Sequence, residues 1–333
     1  MKKCNAVVTA VGGYVPPHIV HNEELEQKMD IPSGWIPKYL GVNERRHIRE
    51  EGVGTSAICV QAALEICRKR GIQPSELDAI VLATATPDMI TPSTSNIVAR
   101  EIGASKAWAI DINGACSGFL SALDIASRYI EQQIYRYVLV LGADKMSSII
   151  GGQDRITTCL FADGGGGVLL EPGPADSGIQ HCFLRTDGSG ADLLYVKAGG
   201  SRWPSSTATV NNQEHYLYMD GKAIFDYAVL HLTEAITHTM VKNNLSAQDI
   251  TWLVPHQANQ RIIDRTAEIL SFPAEKIMRN VDRYGNTTSG TIPLCLWDYE
   301  SRLRKGDRLL LAAFGAGFTW GALYMVWGYD GQG

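Results

Sequence analysis

A chain of 333 residues can bury one large core or two modest ones, and 45% hydrophobic against 20% charged residues is an ordinary globular balance. A formal net charge of -5 removes the electrostatic reason to expect nucleic acid or an anionic membrane as partner. Seven cysteines, at 4, 59, 67, 116, 159, 182 and 295, show no CxxC spacing; this argues against a zinc or redox site and suits reduced thiols in the cytoplasm.

In chain order, the first expected element is a strand over 5–11. Lys2 and Lys3 precede Ala6 to Val11, but that apolar stretch is too short for a signal-peptide core and runs into Gly12 and Gly13. Helical patterning at 54–70 is followed by strand-like runs near 79–85, 107–112 and 136–143, with helices at 93–103 and 117–133. A stretch rich in Gly, Ser and Asn, 172–221, is expected to join two halves as substrate-facing loops. Beyond it the pattern predicts helices near 222–243, 259–271 and 288–304. Strands are expected near 251–255, 277–281, 307–313 and 319–327. This alternation, with apolar runs such as Val138 to Leu141, implies an α/β fold with a mostly parallel sheet covered on both faces. No run of about 20 apolar residues occurs, so no membrane span is expected.

The two halves share a plan. Ser75-Glu76-Leu77-Asp78 leads into Ala79 to Ala83 as Ser246-Ala247-Gln248-Asp249 leads into Ile250 to Val254, an offset of 246 − 75 = 171. Ser117-Gly118 and Ser289-Gly290 each open a helix, at 289 − 117 = 172. Val138-Leu139-Val140 matches Leu310-Leu311-Ala312 at 310 − 138 = 172. These landmarks point to an internal duplication with halves 1–173 and 174–333.

Ligands in open α/β sheets bind beyond the carboxyl ends of the strands. Cys116 lies there, in Asn113-Gly114-Ala115-Cys116-Ser117-Gly118, between a strand and a helix. Its small neighbours suit the tight turn that presents a nucleophile. The helix N-terminus is expected to lower the thiol from its usual pKa of about 8.5. The other six cysteines read as structural core residues. His256 follows the strand Trp252 to Val254, and Asn286 precedes the helix at 288–304. Taken singly, these read as a hydrogen-bonded structural histidine and a capping or turn asparagine. The repeat, however, sets Asn286 against position 286 − 172 = 114, two residues before Cys116. If the halves face each other, Cys116, His256 and Asn286 share one cavity.

These motifs, with Val254-Pro255-His256-Gln257-Ala258-Asn259, Gly285-Asn286-Thr287 and Ala313-Phe314-Gly315-Ala316-Gly317-Phe318, closely resemble β-ketoacyl-[acyl-carrier-protein] synthase III. The resemblance runs from the first strand to Trp327. It implies the thiolase-like αβαβα five-layer sandwich, a homodimer, and no cofactor or metal beyond the substrates acyl-CoA and malonyl-acyl carrier protein. Cys116 would carry the acyl group, and His256 and Asn286 would donate to the malonyl thioester oxygen. Backbone N–H groups of Cys116 and Ala316 would meet the second oxyanion. By the same resemblance Trp35 would stack on the CoA adenine with Arg155 on its other face, and Gly221, Ala258 and Asn259 would line the pantetheine. Thr91 and Phe161 would shape the acyl pocket, Thr91 reaching the partner subunit's. Arg261 and Arg265 would dock the carrier protein, and Gly164 to Gly167 resembles the family's tight backbone segment.

Departures also stand out. Tyr39 and Ile31 replace polar or basic CoA contacts, and Asp226 and Glu268 replace lysines of the docking patch. The small Thr91 suggests a primer longer or more branched than acetyl. Several alternatives stay open at this stage. A related ketosynthase or acyltransferase of secondary metabolism fits the departures. A biosynthetic thiolase lacks its second cysteine, since Ala313-Phe314-Gly315 has none. A papain-like protease shares the order Cys, His, Asn but not the duplicated plan. A silent acyl-binding scaffold would have no need of three reactive side chains.

Overall fold

Strands apolar on both faces must be covered on both, and this requirement builds the layers. A computed structural model describes residues 4–151 and 154–331. The first sheet holds β1 (Cys4–Tyr14), β2 (Ala79–Ala83), β3 (Trp108–Ile112), β4 (Val138–Lys145) and β5 (Asp163–Pro174), in the order β1-β5-β4-β2-β3. The second holds β6 (Gly178–Thr186), β7 (Trp252–Pro255), β8 (Arg308–Gly315) and β9 (Thr319–Val326), in the order β7-β8-β9-β6. The main helices are α1 (Thr55–Arg70), α2 (Thr94–Ile102), α3 (Gly118–Glu131), α4 (Gly221–Lys242), α5 (Gln260–Ile269) and α6 (Thr291–Asp298).

Side-chain alternation assigns each helix to a layer. Along β4, Leu139 and Leu141 pack in the outer core with α1 and α2, while Val138 and Val140 pack in the central core with α3. Along β8, Leu309, Leu311 and Ala313 face that central core, and Leu310, Ala312 and Phe314 face α4 and α5. Between the sheets, α3 and α6 bury nearly every apolar residue: Phe119, Leu120, Leu123, Ile292, Leu294 and Leu296 are at most 1% exposed. The result is the five-layer α/β thiolase-like sandwich.

Three expectations need correction. The sheets are mixed rather than mostly parallel: only β2–β3, β2–β4 and β7–β8 run parallel. The short connection β8–β9 leaves no room for a crossover helix. The stretch 172–221 is not loop throughout, since it carries the end of β5 and all of β6, which pairs antiparallel with β9. The glycine segment 164–167 is tightly packed as expected, and it lies in β5, a strand between β1 and β4. A Cβ at Gly167 would lie 2.4 Å from the Val140 carbonyl oxygen, and one at Gly290 would lie 2.5 Å from that of Gly164. The glycines therefore let the turn before α6 sit directly on the first sheet. Finally, 277–281 forms no strand, only a bridge between Leu253 and Ile277. The Gln257 side chain takes the N–H groups of Asn280 and Val281 at 3.0 and 3.3 Å, which ends any ladder there.

Candidate active site

Cys116 sits in a 3₁₀ turn, Ala115–Ser117, that leads into α3; a matching turn, Thr288–Gly290, leads into α6. Ala115 and Thr288 both adopt left-handed backbone, φ +44 and +53. Such strain at non-glycine residues bends the chain sharply into each helix. Gly114 is required as well, because a Cβ there would lie 2.8 Å from Gly118 Cα. The two turns bring Cys116, 7% exposed, together with His256 and Asn286 in the lining of one cavity of about 400 Å³.

Electrostatics at the thiol run against the sequence expectation. Burial pushes the Cys116 thiol up to about 12, with the Asp144 carboxylate adding to the rise and a backbone hydrogen bond offsetting part of it. Desolvation of a buried sulfur outweighs the partial charge of a short turn.

His256 follows β7, where its N–H extends the parallel pairing by donating to Ala312 at 2.7 Å. Burial alone holds its imidazole down to about 3, so the ring is neutral at pH 7. Its Nδ1 lies 2.6 Å from Thr291 Oγ1. The Asn286 backbone is clamped to the other side of the cavity, donating to Leu160 at 2.9 Å and accepting from Ala162 at 3.0 Å. Its Oδ1 accepts from the Thr288 N–H at 2.9 Å, which orients the amide. Among the described residues the Nδ2 group has only the Ala258 carbonyl, at 3.4 Å, so it is the donor left for a ligand.

The remaining expected residues divide. Phe161, Trp35, Gly221, Ala258, Asn259 and Arg261 line the same cavity. Asn259 also caps α5, its side chain accepting from the Arg261 N–H at 2.8 Å. At the end of β8 it is Gly315 that reaches the cavity, and a Cβ there would lie 2.8 Å from Cys116 N; Ala316, in the turn that follows, is half-buried beside it. Arg155 is not in this cavity but borders a second, of about 830 Å³, with Lys28 and His47. The aromatic beside Trp35 is instead Tyr39, with ring centroids 5.1 Å apart. Ile31 is 7% exposed and belongs to the core. Thr91 is exposed, next to Ile90 at 88% exposure, and does not line this chain's cavity. Arg265 is paired with Glu268 at 2.6 Å, whereas Arg261 has no ion-pair partner among the described residues. Asp226 and Lys222 stand at the cavity wall, and the sequence reading missed Lys222.

It also missed Asp144, which is fully buried. Its Oδ1 accepts from Thr84 and Thr86 hydroxyls and from the Ala85 and Thr86 N–H groups, at 2.7 to 3.0 Å. Its Oδ2 accepts from the Ser289 N–H and hydroxyl at 3.0 and 2.6 Å. One carboxylate thus ties the end of β2 to the Asn286 turn. A charge closing the apolar run Val138 to Ala143 was the available signal. Asp144→Ala strands these donors, so an unfolding free energy lower by more than about 3 kcal/mol is expected in urea titration. A loss under about 1 kcal/mol would refute the assignment.

Among the described residues, no cluster of three His, Cys, Asp or Glu side chains is placed to hold a metal ion. No helix among them is long and apolar enough to cross a membrane. Family models described as 3-oxoacyl-[acyl-carrier-protein] synthase III and its C-terminal part match residues 110–188 and 240–327. The β-ketoacyl-[acyl-carrier-protein] synthase III of Phocaeicola vulgatus is 46% identical over 332 residues, covering 100% of this chain and 99% of that protein. The crystal structure of 3-oxoacyl-(acyl carrier protein) synthase III from Pseudomonas aeruginosa superposes with a TM-score of 0.90 at 32% identity, covering 98% of this chain and 100% of that one. The priming β-ketosynthase of a polyketide pathway also gives 0.90, at 30% identity, with 99% and 98% covered. With a duplicated turn geometry around a buried thiol and relatives matched end to end, the chain belongs to the β-ketoacyl-[acyl-carrier-protein] synthase III family of condensing acyltransferases.

Proposed function

We propose that this protein joins an acyl group from acyl-CoA to malonyl-acyl carrier protein with loss of CO2, initiating fatty acid synthesis without a cofactor. The observation that carries the reading is the meeting of Cys116, His256 and Asn286 in one cavity. Cys116 attacks the acyl thioester, the acyl group passes to sulfur, and CoA leaves as its thiol. Malonyl thioester then enters. As its carboxylate departs, negative charge grows on the thioester oxygen, and donors from His256 and Asn286 meet it there. Preorganised donors favour the transition state because the charge is absent from the ground state. The carbanion forms a C–C bond to the acyl-cysteine carbonyl, whose oxyanion is met by the N–H groups of Cys116 and Ala316; as it collapses the C–S bond breaks, and Cys116 leaves as thiolate and takes a proton from solvent.

The apolar wall, with Trp35, Phe161, Gly221 and Ala258, suits an acyl and pantetheine chain, and the unpaired Arg261 suits an acidic carrier protein. Halves 1–173 and 174–333 each supply one strained turn to this cavity. The edge strand β3 exposes Trp108 and Ile110, and Met89 and Ile90 project nearby in sequence to Thr91; such an apolar edge supports a homodimer in which Thr91 shapes the partner's acyl pocket. Seven free cysteines suit a reducing cytoplasm.

Intact-mass analysis of Cys116 acylation across acetyl- to C10-CoA, followed by malonyl carrier protein, tests the reading. Straight or branched primers longer than acetyl are expected to load and to be released on the chase. Exclusive loading of acetyl overturns the primer assignment, and loading without condensation overturns the reaction. The Asp226 carboxylate at the cavity wall and the Arg265–Glu268 pair favour one second reading, a ketosynthase of secondary metabolism with another acceptor. Condensation with a small nucleophile but not with malonyl carrier protein would select it.

A further inference from the structure

Resting on that reading, the geometry points to Thr291 as a positioning residue: its hydroxyl donates to His256 Nδ1 and so holds the imidazole as the Nε2–H tautomer, a hydrogen-bond donor rather than a base. A neutral imidazole carries one N–H, and the partner of one nitrogen decides which nitrogen bears it. The Thr291 hydroxyl has one proton and two acceptors in range. His256 Nδ1 is at 2.6 Å and the Thr288 carbonyl at 3.2 Å. The second distance lies outside the usual 2.5–3.0 Å range for O–H···O, while the first is short. The Thr288 carbonyl does not depend on the hydroxyl for a partner, because the Thr291 backbone N–H donates to it. Both side chains are 2% exposed, so no solvent competes for the proton. Among the described residues Nε2 has no protein partner, and His256 lines the cavity. Its proton is therefore directed at the ligand.

The arrangement has a chemical consequence. Nε2–H and the Asn286 amide form two donors aimed at one thioester oxygen. With no lone pair at Nε2, the ring does not take the Cys116 proton, which ends on the departing CoA thiolate. The test reads the tautomer and the reaction separately. Histidine-labelled protein is examined by two-bond ¹⁵N–¹H correlation at pH 7, with His256 assigned from its disappearance in His256→Ala. The wild type and Thr291→Ser are expected to show a protonated Nε2 and a bare Nδ1; Thr291→Val, which keeps the shape, loses the preference. Decarboxylation of malonyl carrier protein should fall about 10- to 100-fold in Thr291→Val, the scale of histidine-orienting partners, and recover in Thr291→Ser. Acylation of Cys116 should stay within about twofold, since the orienting bond serves the later step. A wild-type ring protonated on Nδ1 overturns the proposal, as does a folded Thr291→Val protein that decarboxylates at the wild-type rate. A wild type that shows the Nε2–H ring but releases no CO2 leaves the tautomer standing and removes the condensation reading instead.

Discussion

Cys116→Ala is expected to abolish the acyl-enzyme seen by intact mass and to lower condensation by at least about 10³-fold, the scale of nucleophile removal in covalent catalysis. The variant should fold, because alanine leaves no polar group unpaired in the turn and Ser117 still donates to Gly114 at 3.0 Å. The same thiol makes a pH prediction. Its folded value of about 12 keeps it protonated across the neutral range, and each pH unit below that value cuts the thiolate tenfold. Iodoacetamide alkylation of the unliganded protein should therefore rise about tenfold per unit from pH 6 to 9 without a plateau. A plateau near pH 7 would show instead that the helix start dominates burial, and Cys116→Ala with wild-type turnover would end the nucleophile assignment.

The second large effect is expected at the two donors. His256→Ala or Asn286→Ala should each lower decarboxylative condensation by about 10²–10³-fold, the usual loss for one oxyanion donor. Loading of Cys116 should be much less affected, because the charge these groups meet belongs to the malonyl half-reaction. The double variant should lose less than the product of the single losses, since both donors serve one oxygen. With His256 held down to about 3, chase of preloaded enzyme should show no step near pH 6.5. Single-turnover kinetics of loading, and of the chase on preloaded protein, checks these points. Equal losses in loading and in chase would contradict the assignment.

These outcomes divide between what local pattern and what packing decide. The helices at 55–70, 94–102, 118–131, 221–242 and 260–269, and the strands at 79–83, 138–145, 252–255, 308–315 and 319–326, were legible because their periodicity is local and strong. Cys116 and His256 were legible because each follows a strand, Asn286 because the repeat sets it beside Cys116, and all three because their flanking motifs are distinctive. What could not be read was decided by contacts between distant segments. β6 carries Gln180, His181 and Cys182 and is a strand because β9 offers it a pairing edge. The glycines of β5 carry no local strand pattern, and their need is seen only when Gly290 and the Val140 carbonyl are brought against them. The placement of Arg155 outside the cavity depends likewise on packing.

The sequence by itself determined the layered α/β class and the family, and it singled out Cys116, His256 and Asn286 as the groups to meet in one cavity, since each is written in short-range spacing and residue chemistry. Only the tertiary structure decided their electrical state and orientation. Desolvation depends on everything packed around a group, which is why the Cys116 thiol lies high and His256 is neutral. Likewise, the proton on His256 depends on a hydroxyl 35 residues away that enters hydrogen-bond range only in the folded chain.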